Sequence, residues 1–271
     1  MKCVLSIAGS DSGGGAGIQA DIKTITGLGA HALTVITALT AQNSLGVSAI
    51  HPVPPGFIAR QIKAVVEDRT PDSVKVGMVY TAAAVKAVSR MIAAYRLSPV
   101  VVDPVLRAST GAALLEPAAI RVLKEHLLPL ATVVTPNLAE AELLTGKRVR
   151  TLREMERAAI EIFQMGPRVV IKGGHLERES SDVFFDGEEV TVFPGKKIAS
   201  PSTHGTGCVF SSALATFLAF GRKNEINEWF YGGFSAIQEI IIQRSADRVG
   251  FIHRCFDGGS NIGCAFIITD F

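Results

Sequence analysis

Pro99-Val100-Val101-Val102-Asp103-Pro104-Val105 is the stretch on which the fold turns. Three successive valines without polar alternation suit a strand covered on both faces, which is the habit of parallel sheets. Arg168-Val169-Val170-Ile171-Lys172 repeats the pattern. Shorter apolar runs at Val4–Ala8, Thr34–Leu39, Val74–Met78 and Thr132–Thr135 complete a set of strands, together with Pro99–Asp103 and Arg168–Lys172. Between them apolar residues recur at helical spacing: Ile58, Ile62, Val65 and Val66; Val85, Val88, Met91 and Ile92; Ile120, Leu123, Leu127 and Leu128; Leu152, Met155, Ala159 and Ile162. Strands alternating with such stretches predict an α/β sandwich with a mostly parallel sheet. One segment breaks the alternation. Asp182–Phe185 and Glu189–Phe193 flank Asp186-Gly187, whose residue types suit a type I′ turn, so an appended hairpin is expected.

The composition bounds the function. The chain has 271 residues, 28.7 kDa, 48% hydrophobic and 19% charged, with a mean hydropathy of +0.32, enough to bury a sizeable core. Lys and Arg number 27 against 25 acids, and a net charge of +2 gives no general reason to bind nucleic acid. A small-molecule partner is expected instead. No stretch approaches the roughly 20 unbroken apolar residues of a spanning helix. The N-terminal apolar run of about five residues is too short for a secretory signal, so a cytoplasmic location without membrane partner is expected. Cys3, Cys208, Cys255 and Cys264 form no CxxC pair and fit neither a disulfide scaffold nor a metal cluster. Without a linker or an internal repeat, residues 1–271 read as one domain.

Four segments lie where ligands bind such sheets, beyond the carboxyl ends of the strands. The first is Gly9-Ser10-Asp11-Ser12-Gly13-Gly14-Gly15-Ala16-Gly17, leading to a helix with Gln19 and Asp21. Its five glycines exceed what a tight turn needs, and a helix N-terminus offers N–H groups. It is no dinucleotide fingerprint, because Ile18 stands where the last glycine belongs, and Gly146-Lys147-Arg148 is no P-loop. The second and third, Asp103 after its valines and Thr135-Pro136-Asn137-Leu138-Ala139-Glu140, put two carboxylates at strand exits. Each reads singly as a cap or first-turn acid, and jointly as a pair for Mg²⁺. Lys172, before Gly173-Gly174-His175, supplies a compensating cation or a snorkelling side chain.

The fourth segment is the sharpest: Ser202-Thr203-His204-Gly205-Thr206-Gly207-Cys208, followed by a helix rich in small residues. Backbone N–H groups from Gly205 to Cys208 are expected to converge on an anion, and the helix end to lower the Cys208 pKa.

The segments GSDSGGGAGIQAD, TALTAQNS, VKVGM, VVDPV, TPNLAEAE, VIKGGH and HGTGC, in this order and spacing, resemble the bacterial hydroxymethylpyrimidine and phosphomethylpyrimidine kinases of thiamine biosynthesis, within the ribokinase-like superfamily. The resemblance covers residues 3 to about 221. It implies a ribokinase-like three-layer α/β/α sandwich and a homodimer. It places the pyrimidine by Gly9, Asp21, Thr40, Gln42, Met78 and Val105, with Asp21 and Gln42 bonding ring nitrogens and the exocyclic amine. ATP would take Asn137 and Lys172, with Asp103 and Glu140 around Mg²⁺; Gly205, Thr206 and Gly207 match the anion hole, and Cys208 the position of the base.

The implied chemistry is in-line phosphoryl transfer, first to the alcohol and then to its monophosphate. A pyridoxal-type kinase of the same superfamily is the rival enzyme, and Gln42-Asn43 with Lys172-Gly173-Gly174-His175 favours the pyrimidine. A non-catalytic pyrimidine-binding protein is the rival of another class, opposed by the joint presence of Asp103, Glu140, Lys172 and Cys208. Arg107 reads either as a phosphate contact or as a solvent-facing side chain. Beyond Gly221 the motifs stop: a helix is expected over Ile226–Gln243, then a tail whose Ala265–Thr269 run is β-prone.

Overall fold

The computed structural model describes residues 1–43, 45–108, 111–174, 176, 180–195 and 205–221, and the backbone of 251–254 and 266–269. In chain order the elements are β1 (Cys3–Asp11), α1 (Gly17–Gly27), β2 (His31–Asn43), β3 (Gly46–Pro52), α2 (Pro55–Asp68), β4 (Ser73–Val76), α3 (Ala82–Ala94) and β5 (Val100–Val102). There follow α4 (Pro117–Val122), which runs into a π-helical turn at Leu123–Leu127, then β6 (Val133–Val134), α5 (Leu138–Thr145), α6 (Leu152–Phe163), β7 (Arg168–Ile171), β8 (Ser180–Phe185), β9 (Val190–Gly195) and α7 (Thr206–Ala219). The last two strands are β10 (Phe251–Arg254) and β11 (Phe266–Thr269).

Nine strands form one sheet in the order β3-β2-β1-β4-β5-β6-β7-β8-β9. From β2 to β7 neighbouring strands are parallel, while β3 at one edge and the β8–β9 pair at the other run antiparallel. The valine runs are buried on both faces, as expected. Val100, Val102, Val134, Val169 and Ile171 join a core with α2, α3, α5 and α6. Val101, Val133 and Val170 point the other way, into a core with α1 and α7. Two such cores on opposite faces make the three-layer arrangement.

The expected strands are all present, with shifted ends. The edge strand β3 was not foreseen, because its mostly exposed residues carry no alternating pattern. The hairpin is also present, but its turn is a correction. Phe185 pairs with Val190, leaving four residues between the strands, and only Gly187 has positive φ (112°). Asp186 Oδ1 accepts from the Glu188 and Glu189 amides, so its side chain organises a turn that is not type I′. The helix expected over Ile226–Gln243 lies outside the described residues. In the tail, β11 pairs antiparallel with β10, so that run is one strand of a small separate ribbon.

Candidate active site

The chain leaves β1 toward β2 on one side and later returns to β4 on the other, and that reversal opens a crevice at the carboxyl ends of the strands. A cavity of about 880 Å³ occupies it. Gly9, Thr40, Gln42, Met78, Val105, Asp103, Asn137, Glu140, Lys172 and Gly205 to Cys208 all line it. Of the residues to which the resemblance assigns a site role, the structure therefore brings together all except Asp21.

At one end lie the first glycine segment and β2. Asp11 folds the loop: its carboxylate accepts from the Gly13 (2.8 Å), Gly15 (3.1 Å) and Ala16 (2.8 Å) amides. These N–H groups are thus spent inside the loop. Gln19 fastens the strand end, accepting from the Asp11 amide and donating to Ser10 Oγ. Thr40 Oγ1 lies 2.9 Å from the Ser10 carbonyl and 3.1 Å from Gln42 Oε1. Met78, Val105 and Leu114 belong to a small apolar cluster beside them, which suits this end to a flat ring.

At the other end, the segments after β5, β6 and β7 deliver Asp103, Glu140 and Lys172, and α7 adds the Ser211 hydroxyl. Lys172 Nζ donates to Asp103 Oδ1 (2.9 Å), Thr135 Oγ1 donates to the same oxygen (3.1 Å), and Ser211 Oγ lies 3.2 Å from Oδ2. Asn137 and Glu140 form a capping box on α5: the Asn137 side chain accepts from the Glu140 amide (2.9 Å) and Glu140 Oε2 accepts from the Asn137 amide (2.8 Å). The capping role and the site role of these two residues thus coincide. Glu140 is 5% exposed, and burial, only partly offset by Lys172, pushes its carboxyl up to about 7.

That shift has a sign. Between about pH 4.5 and 7 folded Glu140 holds a proton that the unfolded chain has released, so stability falls as pH rises through this window. Glu140→Gln keeps the acceptor for Asn137 and removes the titration. Its unfolding free energy should exceed that of the parent by up to about 3 kcal/mol at pH 8, with no gain at pH 4, in urea titrations of the ligand-free protein.

The turn before α7 meets the first loop face to face. Gly205 has φ of 77°, and a Cβ there would lie 1.9 Å from the Gly15 carbonyl oxygen. Only glycine satisfies both demands. A Cβ on Gly207 would enter the cavity, 3.2 Å from Lys172 Nζ and 3.7 Å from Asp103 Oδ2, so bare backbone faces the ion pair. Cys208 also faces the cavity, but its thiol is a second correction. Desolvation pushes it above the usual thiol value, outweighing the pull of Lys75, and the expected depression by the helix end is not what prevails.

Asp21 is the third correction. It is fully buried outside the cavity wall and is held by Lys75 Nζ (2.8 and 2.9 Å), Ser212 Oγ (2.6 Å) and Ser6 Oγ. No oxygen is left to turn toward a pyrimidine. Lys75 is the residue that sequence reasoning missed. Burial alone would drive its ammonium toward neutrality, but Asp21, with Cys208 and Asp103, holds it above the ordinary lysine value. Its signal was legible, a lysine between valines in Ser73-Val74-Lys75-Val76, a strand buried on both faces.

For Mg²⁺, the donor set fits: Asp103 and Glu140 are two carboxyl groups at strand exits, and burial already holds Glu140 short of the negative charge that a cation would restore. Among the described residues no group of three His, Cys, Asp or Glu side chains gathers into an all-protein metal cage.

The sequence profile of the phosphomethylpyrimidine kinase family matches residues 11–242. The chain is 43% identical over 258 residues to the hydroxymethylpyrimidine/phosphomethylpyrimidine kinase of Rhizobium meliloti, covering 92% of this chain and 97% of that one. It is 52% identical over 220 residues to the thiamine biosynthesis bifunctional protein ThiED of Geobacter sulfurreducens, covering 80% of this chain but 45% of that longer protein. Among solved structures, the pyridoxal kinase from Staphylococcus aureus in complex with AMP-PCP and pyridoxal superposes with a TM-score of 0.80 at 30% identity, covering 91% of this chain and 89% of that one.

Proposed function

Since this chain belongs to the phosphomethylpyrimidine kinase family, we propose that it transfers the γ-phosphoryl group of ATP first to the hydroxyl of 4-amino-5-hydroxymethyl-2-methylpyrimidine and then to the resulting monophosphate. The observation that carries the reading is the joining of two unlike ends in one cavity: an apolar and amide-rich end at Met78, Val105 and Gln42, and a charged end at Asp103, Glu140 and Lys172. The α7 N-terminus lies between them.

Gln42 and Thr40 orient the ring, and Met78 and Val105 sandwich it. Asn137, Lys172 and the backbone of Gly205, Thr206 and Gly207 hold the nucleotide phosphates. Asp103 and Glu140 are the residues that would hold Mg²⁺, which supplies charge neutralisation on those phosphates. Lys172, pinned by Asp103, is kept charged and aimed rather than mobile. With a loose transition state, positioning and fixed charge supply most of the acceleration. Cys208 takes the hydroxyl proton in its thiolate form, which Lys75 favours and burial opposes. The alcohol step should therefore still be accelerating above pH 8, and Cys208→Ala should flatten that limb in pH–rate profiles, losing about 10²-fold in kcat. The chain works as one kinase unit; we place it in the cytoplasm as a homodimer, which sedimentation equilibrium tests.

The direct test is ADP release measured with the pyrimidine alcohol, its monophosphate and pyridoxal as separate acceptors. Turnover of both pyrimidines with a higher kcat/KM than pyridoxal is the expected result. Preference for pyridoxal would move the chain to the activity named for its Staphylococcus aureus neighbour, and tight ring binding without any ADP would make it a binding protein.

A further inference from the structure

Four basic residues stand around the cavity, Lys75 fully buried behind its wall and Arg107, Arg150 and Lys172 at it. Three have carboxylate partners. Lys75 pairs with Asp21 (2.8 Å), Lys172 with Asp103 (2.9 Å) and Arg150 with Glu142 (3.1 Å). Arg107 has none among the described residues; its guanidinium donates one 3.3 Å bond to the Gly111 carbonyl. Arg107 is exposed where it lines the cavity, and without a carboxylate partner among the described residues it is available to a ligand.

Its mounting says which ligand. Arg107 sits on a short ladder in which the Leu114 amide donates to the Leu106 carbonyl (2.9 Å), Arg107 pairs with Ala113, and the Ala108 amide donates to the Ala112 carbonyl (2.8 Å). Buried Leu106 and Leu114 anchor that ladder, and Leu114 packs in the same cluster as Met78 and Ala38 at the ring-binding end. The ladder thus holds the Arg107 backbone beside the acceptor end, from which its exposed side chain can reach a ligand, while Lys172 serves the other.

The two transfers make different demands there. The first acceptor is a neutral alcohol. The second is a phosphate monoester carrying roughly −1.5 to −2 charge at neutral pH. In the second transfer an acceptor phosphate oxygen bonds to the γ-phosphorus, the bond from that phosphorus to the β–γ bridging oxygen breaks, and ADP leaves with the electron pair. No hydroxyl proton has to be removed, but one polyanion must approach another. A guanidinium suits that task, because its fork donates to two phosphate oxygens at once.

We propose that Arg107 binds the phosphate of the monophosphate acceptor and so determines selectivity for the second phosphorylation. The inference rests on the two-step reading given above. Its test is steady-state kinetics of the parent, Arg107→Ala and Arg107→Lys proteins with the alcohol and the monophosphate at saturating Mg-ATP. The ratio of monophosphate to alcohol kcat/KM should fall roughly 10- to 100-fold in Arg107→Ala, chiefly through KM for the monophosphate. Arg107→Lys should recover part of it, since charge remains and the fork is lost. An unchanged ratio overturns the proposal, as do equal losses on both acceptors with a raised KM for ATP, which would make Arg107 a nucleotide contact. If the parent turns over neither acceptor, the two-step reading has failed separately. Calorimetric binding of the monophosphate then judges Arg107 alone: weaker binding to Arg107→Ala supports the proposal, and equal Kd values overturn it.

Discussion

Gly207→Val is expected to lower kcat by about 10³-fold while the protein stays folded. Gly207 lies in the first turn of α7 without positive φ, so a side chain there strains no backbone. A Cβ would already stand 3.2 Å from Lys172 Nζ, and valine's two methyl groups would fill the space above the Lys172–Asp103 pair that the phosphoryl group needs. Removing one donor aimed at a transition-state anion typically costs about 3–4 kcal/mol, and valine both blocks the place and shields the charges. Gly207→Ala separates the effects. Alanine is the better helix former by about 1 kcal/mol, so it should raise the melting temperature while reducing kcat less than valine does. Activity above a tenth of the parent's in Gly207→Val, with both acceptors, would show that the α7 turn is not where the phosphoryl group passes.

The largest loss of stability should come from Lys75→Met. Lys75 and Asp21 have no exposed side-chain surface, and their pair joins four elements: β4 through Lys75, α1 through Asp21, β1 through Ser6 and α7 through Ser212. Methionine approximates the lysine stem but strands the Asp21 carboxylate without its cation. Breaking a buried pair from one side costs about 3–5 kcal/mol, a large part of the total stability of a typical domain. The double variant Asp21→Leu/Lys75→Met removes both charges and should regain most of that loss, since a buried pair is seldom better than a well-packed apolar one. Urea unfolding of the parent, the single and the double variants measures both numbers. A single variant within 1 kcal/mol of the parent would mean that water or another group compensates Asp21.

Much of the candidate site was legible because its residues sit where strands stop. Asp103, Asn137, Glu140 and Lys172 each follow a short apolar run, and the switch-point rule puts such positions at one edge of the sheet. The glycines of the α7 turn were legible too, but not their reason: Gly205 is required by the Gly15 carbonyl, which is 190 residues away in the chain. Asp21 was misplaced for a related cause. A helix residue near a glycine-rich loop resembles a ligand contact, and nothing local reveals that Lys75 and Ser212 occupy its carboxylate. The edge strand β3 escaped because an exposed antiparallel edge needs no hydrophobic pattern.

By itself the sequence determined the architecture and the kind of chemistry. Valine runs and helical spacing act over a few residues, and a strand buried on both faces must look apolar wherever its partners come from. Protonation and pairing were decided only by tertiary structure. Whether Cys208 is held as a thiol, whether Glu140 titrates near 7, and which of four cations is left for a ligand depend on burial and on carboxylates brought in from distant strands. Desolvation and Coulomb energies fall off over ångströms of space, not over positions in the chain, so no local reading of residues contains them.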